Sequence, residues 1–403
     1  FMKYNFISNR VNSIKPSPTI AVTSKARELK ALGKDVIGLG AGEPDFDTPE
    51  HIKKAAIRAI EIGKTKYTAV DGITELKEAI CQKFLRDNKI AFDINEVSVG
   101  AGGKQVLFNA LLATLNKGDE VIIPAPYWVS YPDMVIIAEG VPVIIQTSME
   151  SDFKVTSDQL RQSITDKTKW IIINSPSNPT GSCYSIDELK DIGNILDEFP
   201  HVGVISDDIY EKIIYDNFNF TTLATIIPQH KDRILTVNGV SKAYSMTGWR
   251  IGYAGASKEI IKSMAKIQSQ STTNPSSISQ YAALEALKGE EEFILKNNQV
   301  FKKRRDLISN IINQCKGLSV NIPSGAFYIF PSCANLIGLK TKKGEVIEND
   351  STFCEYLIEE VGVAVVPGIA FGKRGFFRIS YATSDEILLE AGKRIKAACD
   401  KLD

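Results

Sequence analysis

The chain has 403 residues, with Lys+Arg and Asp+Glu both at 48; at roughly 150 residues per domain that is two or three structural units, long enough to bury a large core without a disulfide or metal staple. The balanced charge argues against a basic nucleic-acid binder and against an acidic solvating tail. No apolar run reaches the ~18 residues of a membrane helix, and Met2–Asn5 shows no basic region followed by an apolar stretch, so no secretory leader is expected. Phe1, ahead of a Met, reads as an added residue, and the expected location is the cytoplasm. Cys81, Cys183, Cys315, Cys333, Cys354 and Cys399 are scattered without a CxxC pair, ordinary thiol usage for a chain of this length. His51, His201 and His230 lie out of helical reach of one another, so no metal site is expected, and no GxSxG elbow offers a serine nucleophile.

Taken in chain order, short β-rich runs alternate with amphipathic helices, the pattern of an α/β protein with a largely parallel sheet. Gly38-Leu39-Gly40-Ala41-Gly42 imitates a dinucleotide loop, but it lacks the third spaced glycine and meets Pro44 where a helix should begin. Gly100-Ala101-Gly102-Gly103-Lys104-Gln105 leads into the apolar helix Val106–Leu112. Glycines that open a helix bare backbone N–H groups, and the positive helix end favours a phosphate. Asp119–Pro124 reads as a strand; just past it, Trp128 could stack on a planar ring or fill core. Thr156 opens a helix with Leu160 and Ile164 beneath it. Lys169–Ile173 is a strand leading to Asn178, which Pro179 keeps out of the helical region. Its amide is then aimed beyond the strand end, or the segment is a plain turn. Ser185-Ile186-Asp187-Glu188 is a capping box, with Leu189, Ile192 and Leu196 on one face of the helix that follows. Val202–Ser206 is the next strand. Asp207 and Tyr210 follow it, at the carboxyl end where open α/β sheets bind ligands, although Asp207 could instead cap a helix.

The strand Arg233–Val237 runs into small residues, then Lys242, then Arg250 eight positions on. A lysine in a partly desolvated pocket near another cation has a lowered pKa and becomes a usable amine nucleophile. An arginine keeps its proton and suits a phosphate. Read alone, the two could equally be surface residues. Ser263–Lys266 matches SxxK but lies in an amphipathic helix without the companion motifs. Glu291–Lys316 is one long helix stopped by Gly317, and its run Lys302–Arg305 is expected to be a solvated face. Beyond it come the strands Ala326–Pro331, Val363–Val366 and Phe376–Tyr381 and two helices. The expected division is a large domain over 48–290 and a small one built from 1–47 and 291–403, with no internal repeat.

In this order the parts resemble the fold-type I pyridoxal-phosphate enzymes, specifically the class I aspartate aminotransferases of the bacterial subgroup. An AGEPDFDTP segment (Ala41–Pro49) and an SKxxxMTGWRxGY-like segment (Ser241–Tyr253) carry the likeness, which extends from Lys15-Pro16 to Arg378-Ile379-Ser380-Tyr381. The resemblance implies a large domain with a mostly parallel, helix-flanked sheet and a smaller α+β domain. It implies pyridoxal 5'-phosphate as cofactor and transfer of the amino group of L-aspartate to 2-oxoglutarate. Lys242 would form the Schiff base with the cofactor and then move the Cα proton. Asp207 would keep the pyridine nitrogen protonated, making the ring an electron sink. Tyr210 and Asn178 would bond the phenolic oxygen, Trp128 would stack on the ring, and Arg250 with the backbone of Gly102, Gly103 and Lys104 would hold the phosphate. Arg378 would grip the substrate α-carboxylate, which the backbone of Gly42 also approaches. Tyr67 matches a tyrosine that reaches the neighbouring subunit's phosphate, implying a homodimer.

Two departures from the family pattern stand out. Gly239 occupies a position where many relatives carry a hydroxyl for the phosphate, leaving Ser241 as the nearer one. The stretch Thr272–Ser277 lacks the arginine that animal-type enzymes use for the second carboxylate. Lys104 with Lys15, the latter on a closing N-terminal segment, is expected to read that carboxylate instead, and a lysine at position 15 goes with use of prephenate as acceptor in this subgroup. A lyase or synthase of the same fold would share Lys242, Asp207 and Arg378, because reaction choice depends on which Cα bond stands perpendicular to the ring. A non-catalytic effector-binding module is the rival from another class, and the three intact residues argue against it.

Overall fold

The computed structural model of the chain describes residues 6–403; the Met2–Asn5 stretch read above for a leader lies outside them. A seven-stranded sheet forms the centre, in the order Val97–Gly100, Gly252–Gly255, Ile234–Gly239, Gly203–Asp207, Thr168–Asn174, Glu120–Ala125, Val141–Gln146. All neighbours pair in parallel except Gly252–Gly255, which runs opposite to both strands beside it. The central strands are apolar without alternation because both faces are covered. Successive side chains point to opposite faces, so Ile171, Ile173 and Val204 enter one core, and Trp170, Ile172 and Ile205 the other. Three strands carry weaker signals. Val97–Gly100 is short, Gly252–Gly255 has a glycine at each end, and Val141–Gln146 contains Pro142 and accordingly lies at the sheet edge.

The start signals operate as read. Ser185 Oγ accepts from the Glu188 amide (3.3 Å) while Glu188 Oε2 accepts from the Ser185 amide (2.7 Å), and Thr156 with Gln159 forms a second such box.

The terminal segments fold onto each other. Ile37–Gly38 pairs in parallel with Val363–Ala364, and Phe377–Ser380 lies between Val366–Pro367 and Tyr328–Ile329 in an antiparallel sheet. The single strand expected at Val363–Val366 is therefore shared between two sheets. The long helix spans Glu292–Asn313 and ends short of Gly317, because the Asn313 side chain takes the Val320 amide (2.9 Å) and donates to its carbonyl (3.2 Å), closing the turn.

The basic run on this helix needs correction. Lys302 and Lys303 are solvated, but Arg304 and Arg305 are buried, 6% and 2% exposed. They share the helical face of Phe301, Ile308 and Ile312, at spacings of three and four. Arg304 forks onto both oxygens of Asp45 (2.8 and 2.9 Å), and Arg305 pairs with Asp216 and Asp306 (both 2.6 Å).

Candidate active site

A cavity of about 320 Å³ opens at the carboxyl edge of the parallel strands, the position such sheets reserve for ligands. Asp207 is the last residue of its strand, in register with Asn174 on the neighbouring one. Its Oδ2 accepts from Tyr131 Oη at 2.6 Å and its Oδ1 from the Ile209 amide at 3.4 Å, so it caps no helix. Burial pushes its carboxyl up to about 6, against the pull of Tyr131, the Ile209 amide and Lys242. Asn174 holds this corner together. Its Nδ2 donates to the Asp207 carbonyl (2.9 Å) and its Oδ1 accepts from the Asn178 amide (2.8 Å). The Asn178 side chain is thereby turned to Arg378, whose Nη1 donates to Asn178 Oδ1 at 2.8 Å.

Arg378 comes from the terminal sheet and is 2% exposed. Its Nη2 donates to the Gly40 carbonyl (2.7 Å), while Tyr328 and Phe371 lie 4.5 and 5.0 Å from its guanidinium carbon. Its Nε is buried without a partner among the described residues. A buried, permanently charged fork with an unmatched donor is built to receive an anion. Tyr210 Oη and Tyr328 Oη share a hydrogen bond of 2.8 Å beside it.

Lys242 follows the strand Ile234–Gly239. Its Nζ donates to the Gly42 carbonyl at 2.5 Å and lies 5.6 Å from the Tyr210 ring centre. Burial, then the cations Arg378 and Arg250, bring the amine down to about 8, opposed by Glu43 and Asp207. The lysine is thus far closer to a neutral nucleophile than in water.

A third corner is a cradle of backbone. The helix Gly103–Thr114 begins at Gly102, whose φ of +90° a side chain would rarely adopt. The Gly103 and Lys104 amides make no hydrogen bond among the described residues. Arg250 lies directly on Gly102, where a Cβ would come within 2.2 Å of its Nη2, and Gly252 passes beneath, where a Cβ would come within 2.2 Å of the Gly103 nitrogen. Gly239 is explained in the same way: a Cβ there would stand 3.0 Å from the Ile251 carbonyl and 3.1 Å from Gly252 Cα. A side chain at Gly239 would press on this backbone, and Ser241, 6% exposed, is the hydroxyl that lines the cavity.

Trp128 and Lys104 form the outer wall, the ammonium 4.9 Å from the indole ring. Burial and Arg250 lower the Lys104 pKa. Gly42 lines the same cavity. Three sequence candidates do not, the first being Gly102, which lies against Arg250. Lys15 is in an adjoining pocket that shares Lys104 and Arg250, its backbone amide on Asp133. Tyr67 projects from the surface, 89% exposed. Conversely, the sequence reading missed Tyr131, Asn174, Tyr328, Glu43 and Thr19. Tyr131 lies three residues beyond Trp128 and Asn174 four residues before Asn178, spacings that could have marked them. Tyr328 sits in an aromatic run that looks like any core strand.

Comparison with known proteins gives the family. Residues 34–395 match the family model described as aminotransferase class I and II. The chain is 58% identical to the aspartate/prephenate aminotransferase of Cereibacter sphaeroides, over 98% of both chains. It is 60% identical to a probable aspartate/prephenate aminotransferase of Rickettsia bellii, over 99% of this chain and all of the other. Its fold superposes on the crystal structure of the Rhizobium meliloti aspartate aminotransferase with a TM-score of 0.97 and 52% identity, covering 99% of this chain and 100% of that one. The Thermus thermophilus aspartate aminotransferase with maleate gives 0.92 at 43% identity, covering 98% and 100%. With a match across nearly its whole length and the cavity at the sheet edge, the chain belongs to the class I and II aminotransferases.

Proposed function

We propose that this chain is a pyridoxal 5'-phosphate-dependent aspartate aminotransferase. It moves the amino group of L-aspartate to 2-oxoglutarate, giving oxaloacetate and L-glutamate, and also accepts prephenate, as the names of its relatives suggest. The observation that carries the reading is the convergence on one cavity of a depressed lysine, a buried carboxylate and a buried arginine with an unmatched donor. These residues fit the cofactor: the free amides of the glycine-opened helix and Arg250 suit a phosphate, and Asp207 suits a protonated ring nitrogen. When bound, the cofactor supplies an aldehyde carbon for amine exchange and a conjugated ring that takes up the electron pair released at Cα.

In this reading Lys242 holds the proton that leaves Cα and returns it, a task its amine suits because about a tenth is neutral at pH 7 when the pKa is about 8. Asp207, held by Tyr131, faces the ring nitrogen as an anion. Asn178 and Tyr210 hold the phenolic oxygen, and Trp128 lies against the ring. Gly102, Gly103, Lys104, Arg250 and Ser241 hold the phosphate. Arg378 turns its free donor to the α-carboxylate, with Gly42 beside it, and Lys104 with Lys15 reads the distal carboxylate. Tyr67 serves the cradle of a second copy, making the active unit a homodimer, in keeping with an aromatic side chain left exposed. The reading includes a cofactor-binding domain over 48–290, a small domain of 1–47 and 291–403, and a cytoplasmic location. No helix among the described residues is long and apolar enough to cross a membrane.

The test is the visible absorption of the purified protein. Its cofactor band is expected to give way to a near-ultraviolet one on adding L-aspartate and to return with 2-oxoglutarate. A band untouched by aspartate overturns the substrate, and no band after adding the cofactor overturns the role of Lys242.

A further inference from the structure

The segment between the helices Glu50–Glu61 and Thr74–Asn88 carries Tyr67 yet forms no helix or strand. Such a segment has to satisfy its backbone groups through side chains or water. Two fully buried glutamines do this here. Gln280, 0% exposed on the helix Ser277–Lys288, accepts the Ile73 amide at its Oε1 (2.8 Å). Its Nε2 donates to Thr68 Oγ1 and to the Pro275 carbonyl, both at 3.0 Å. Gln268, 1% exposed on the helix Lys258–Ser269, donates from Nε2 to the carbonyls of Val70 (2.5 Å) and Val99 (2.8 Å). The Asp71 carbonyl accepts from the Val99 amide at 2.9 Å. Gly72, at φ +111°, lies so close to Val99 that a Cβ would come within 2.6 Å of its Cγ2.

The segment is therefore held by the helix residue Gln280 at Thr68 and Ile73, by Gln268 at Val70 and by the edge strand at Asp71, and Tyr67 immediately precedes the first of these anchors. Gln268 also accepts from Asn109 Nδ2 (2.8 Å) on the helix that opens the cradle. Gln268 thus bonds both the segment that follows Tyr67, at Val70, and the chain's own cradle helix, at Asn109. Buried amides with their sites engaged hold a single geometry, because any other leaves polar groups unpaired.

We propose that Gln280, supported by Gln268, is a positioning residue that acts across the dimer, fixing Thr68–Ile73 so that Tyr67 reaches the cofactor phosphate of the second copy. The proposal rests on the reading of Tyr67 and the homodimer given above.

Hybrid dimers with one Lys242→Ala chain test it, since only the chain that keeps Lys242 gives the visible cofactor band. With Gln280→Leu placed in the Lys242→Ala chain, the working site faces the altered Tyr67 segment. Its cofactor dissociation constant is expected to rise about tenfold, the scale of one weakened hydrogen bond to a charged group. With Gln280→Leu in the chain that keeps Lys242, the working site faces a native Tyr67 segment and the constant should stay within about twofold. Tyr67→Phe in the same two arrangements is the reference. If Tyr67→Phe acts across the dimer while Gln280→Leu weakens both arrangements alike, or neither, the positioning role is overturned. If Tyr67→Phe itself shows no such asymmetry, it is the reading of Tyr67 and the dimer that fails. Thr68→Val removes only one partner of Gln280 at a half-buried position; it must show the same asymmetry, which keeps the test decisive should Gln280→Leu not fold.

Discussion

Replacing Tyr131 with Phe removes one hydroxyl, 2.6 Å from Asp207 Oδ2, and leaves the ring in place against Trp128, 5.2 Å away and edge-on. A hydrogen bond to a charged group contributes about 1.5–3 kcal/mol, and 1.36 kcal/mol corresponds to about one pKa unit. The Asp207 carboxyl, already raised by burial to about 6, should therefore climb a further one to two units, roughly. The sign of the effect on stability follows. A carboxyl raised above its ordinary value stabilises the fold most when protonated, and that contribution disappears as pH rises through the folded-state value. In the cofactor-free protein this loss should be nearly complete by about pH 6, but in the variant it should continue to about pH 7–8, so the two unfolding free energies diverge over that interval by about 1.5–3 kcal/mol. Urea unfolding followed by circular dichroism between pH 5 and 8 measures the divergence. Parallel stability curves would refute the coupling of the Tyr131 hydroxyl to the charge on Asp207. The acid limb of kcat/KM in the loaded enzyme should move upward in the same variant.

Arg378→Lys keeps the charge but cannot hold Asn178 and Gly40 while presenting a further donor, so KM for every amino-acid substrate should rise about a hundredfold by steady-state kinetics. Lys104→Ala should raise KM for aspartate about tenfold or more while changing that for an uncharged amino acid by no more than about twofold; equal changes would remove Lys104 from distal-carboxylate recognition. Asp45→Ala removes the fork from the Arg304 side chain, 7% exposed, and leaves only Asp385, 3.4 Å from its Nε, so denaturant midpoints should report a loss of about 1.5–3 kcal/mol. Lys303→Ala, one residue earlier and solvated, should leave the denaturant midpoint essentially unchanged.

What could be read beforehand follows from where each signal originates. The strands Thr168–Asn174 and Gly203–Asp207 are buried on both faces, so they stand out as unbroken apolar runs between capped helices. The strand Gly252–Gly255 has no such mark, because two glycines supply no side chains and its pairing comes wholly from the neighbours it separates. At the site, Asp207 ends its strand, Lys242 and Asn178 follow strand ends and Arg250 precedes a strand, and the structure brings them with Arg378 around one cavity. Tyr131 escaped notice because a buried tyrosine after a tryptophan resembles packing; only the closeness of its hydroxyl to Asp207 distinguishes it. Arg304 and Arg305 were misjudged for the opposite reason. Four consecutive cations suggest a solvated surface, yet the helical repeat turns two of them inward, where Asp45 and Asp216, distant in sequence, neutralise them. The tight backbone packing at Gly239, with Gly252 Cα 3.1 Å from where a Cβ would stand, is visible only in three dimensions.

The one reversed strand of the sheet has a consequence for how the chain can change over time. In a parallel order, a strand presents its carboxyl end to the site and its successor starts from the opposite edge. Because Gly252–Gly255 runs backward, residues 240–251 leave and re-enter the sheet on the same side, so that one connection delivers both Lys242 and Arg250. The spacing between nucleophile and anion clamp is thereby a matter of chain length alone. Gain or loss of a residue anywhere in that connection would displace the two cations relative to each other and, through Gly252, disturb the helix opening at Gly103.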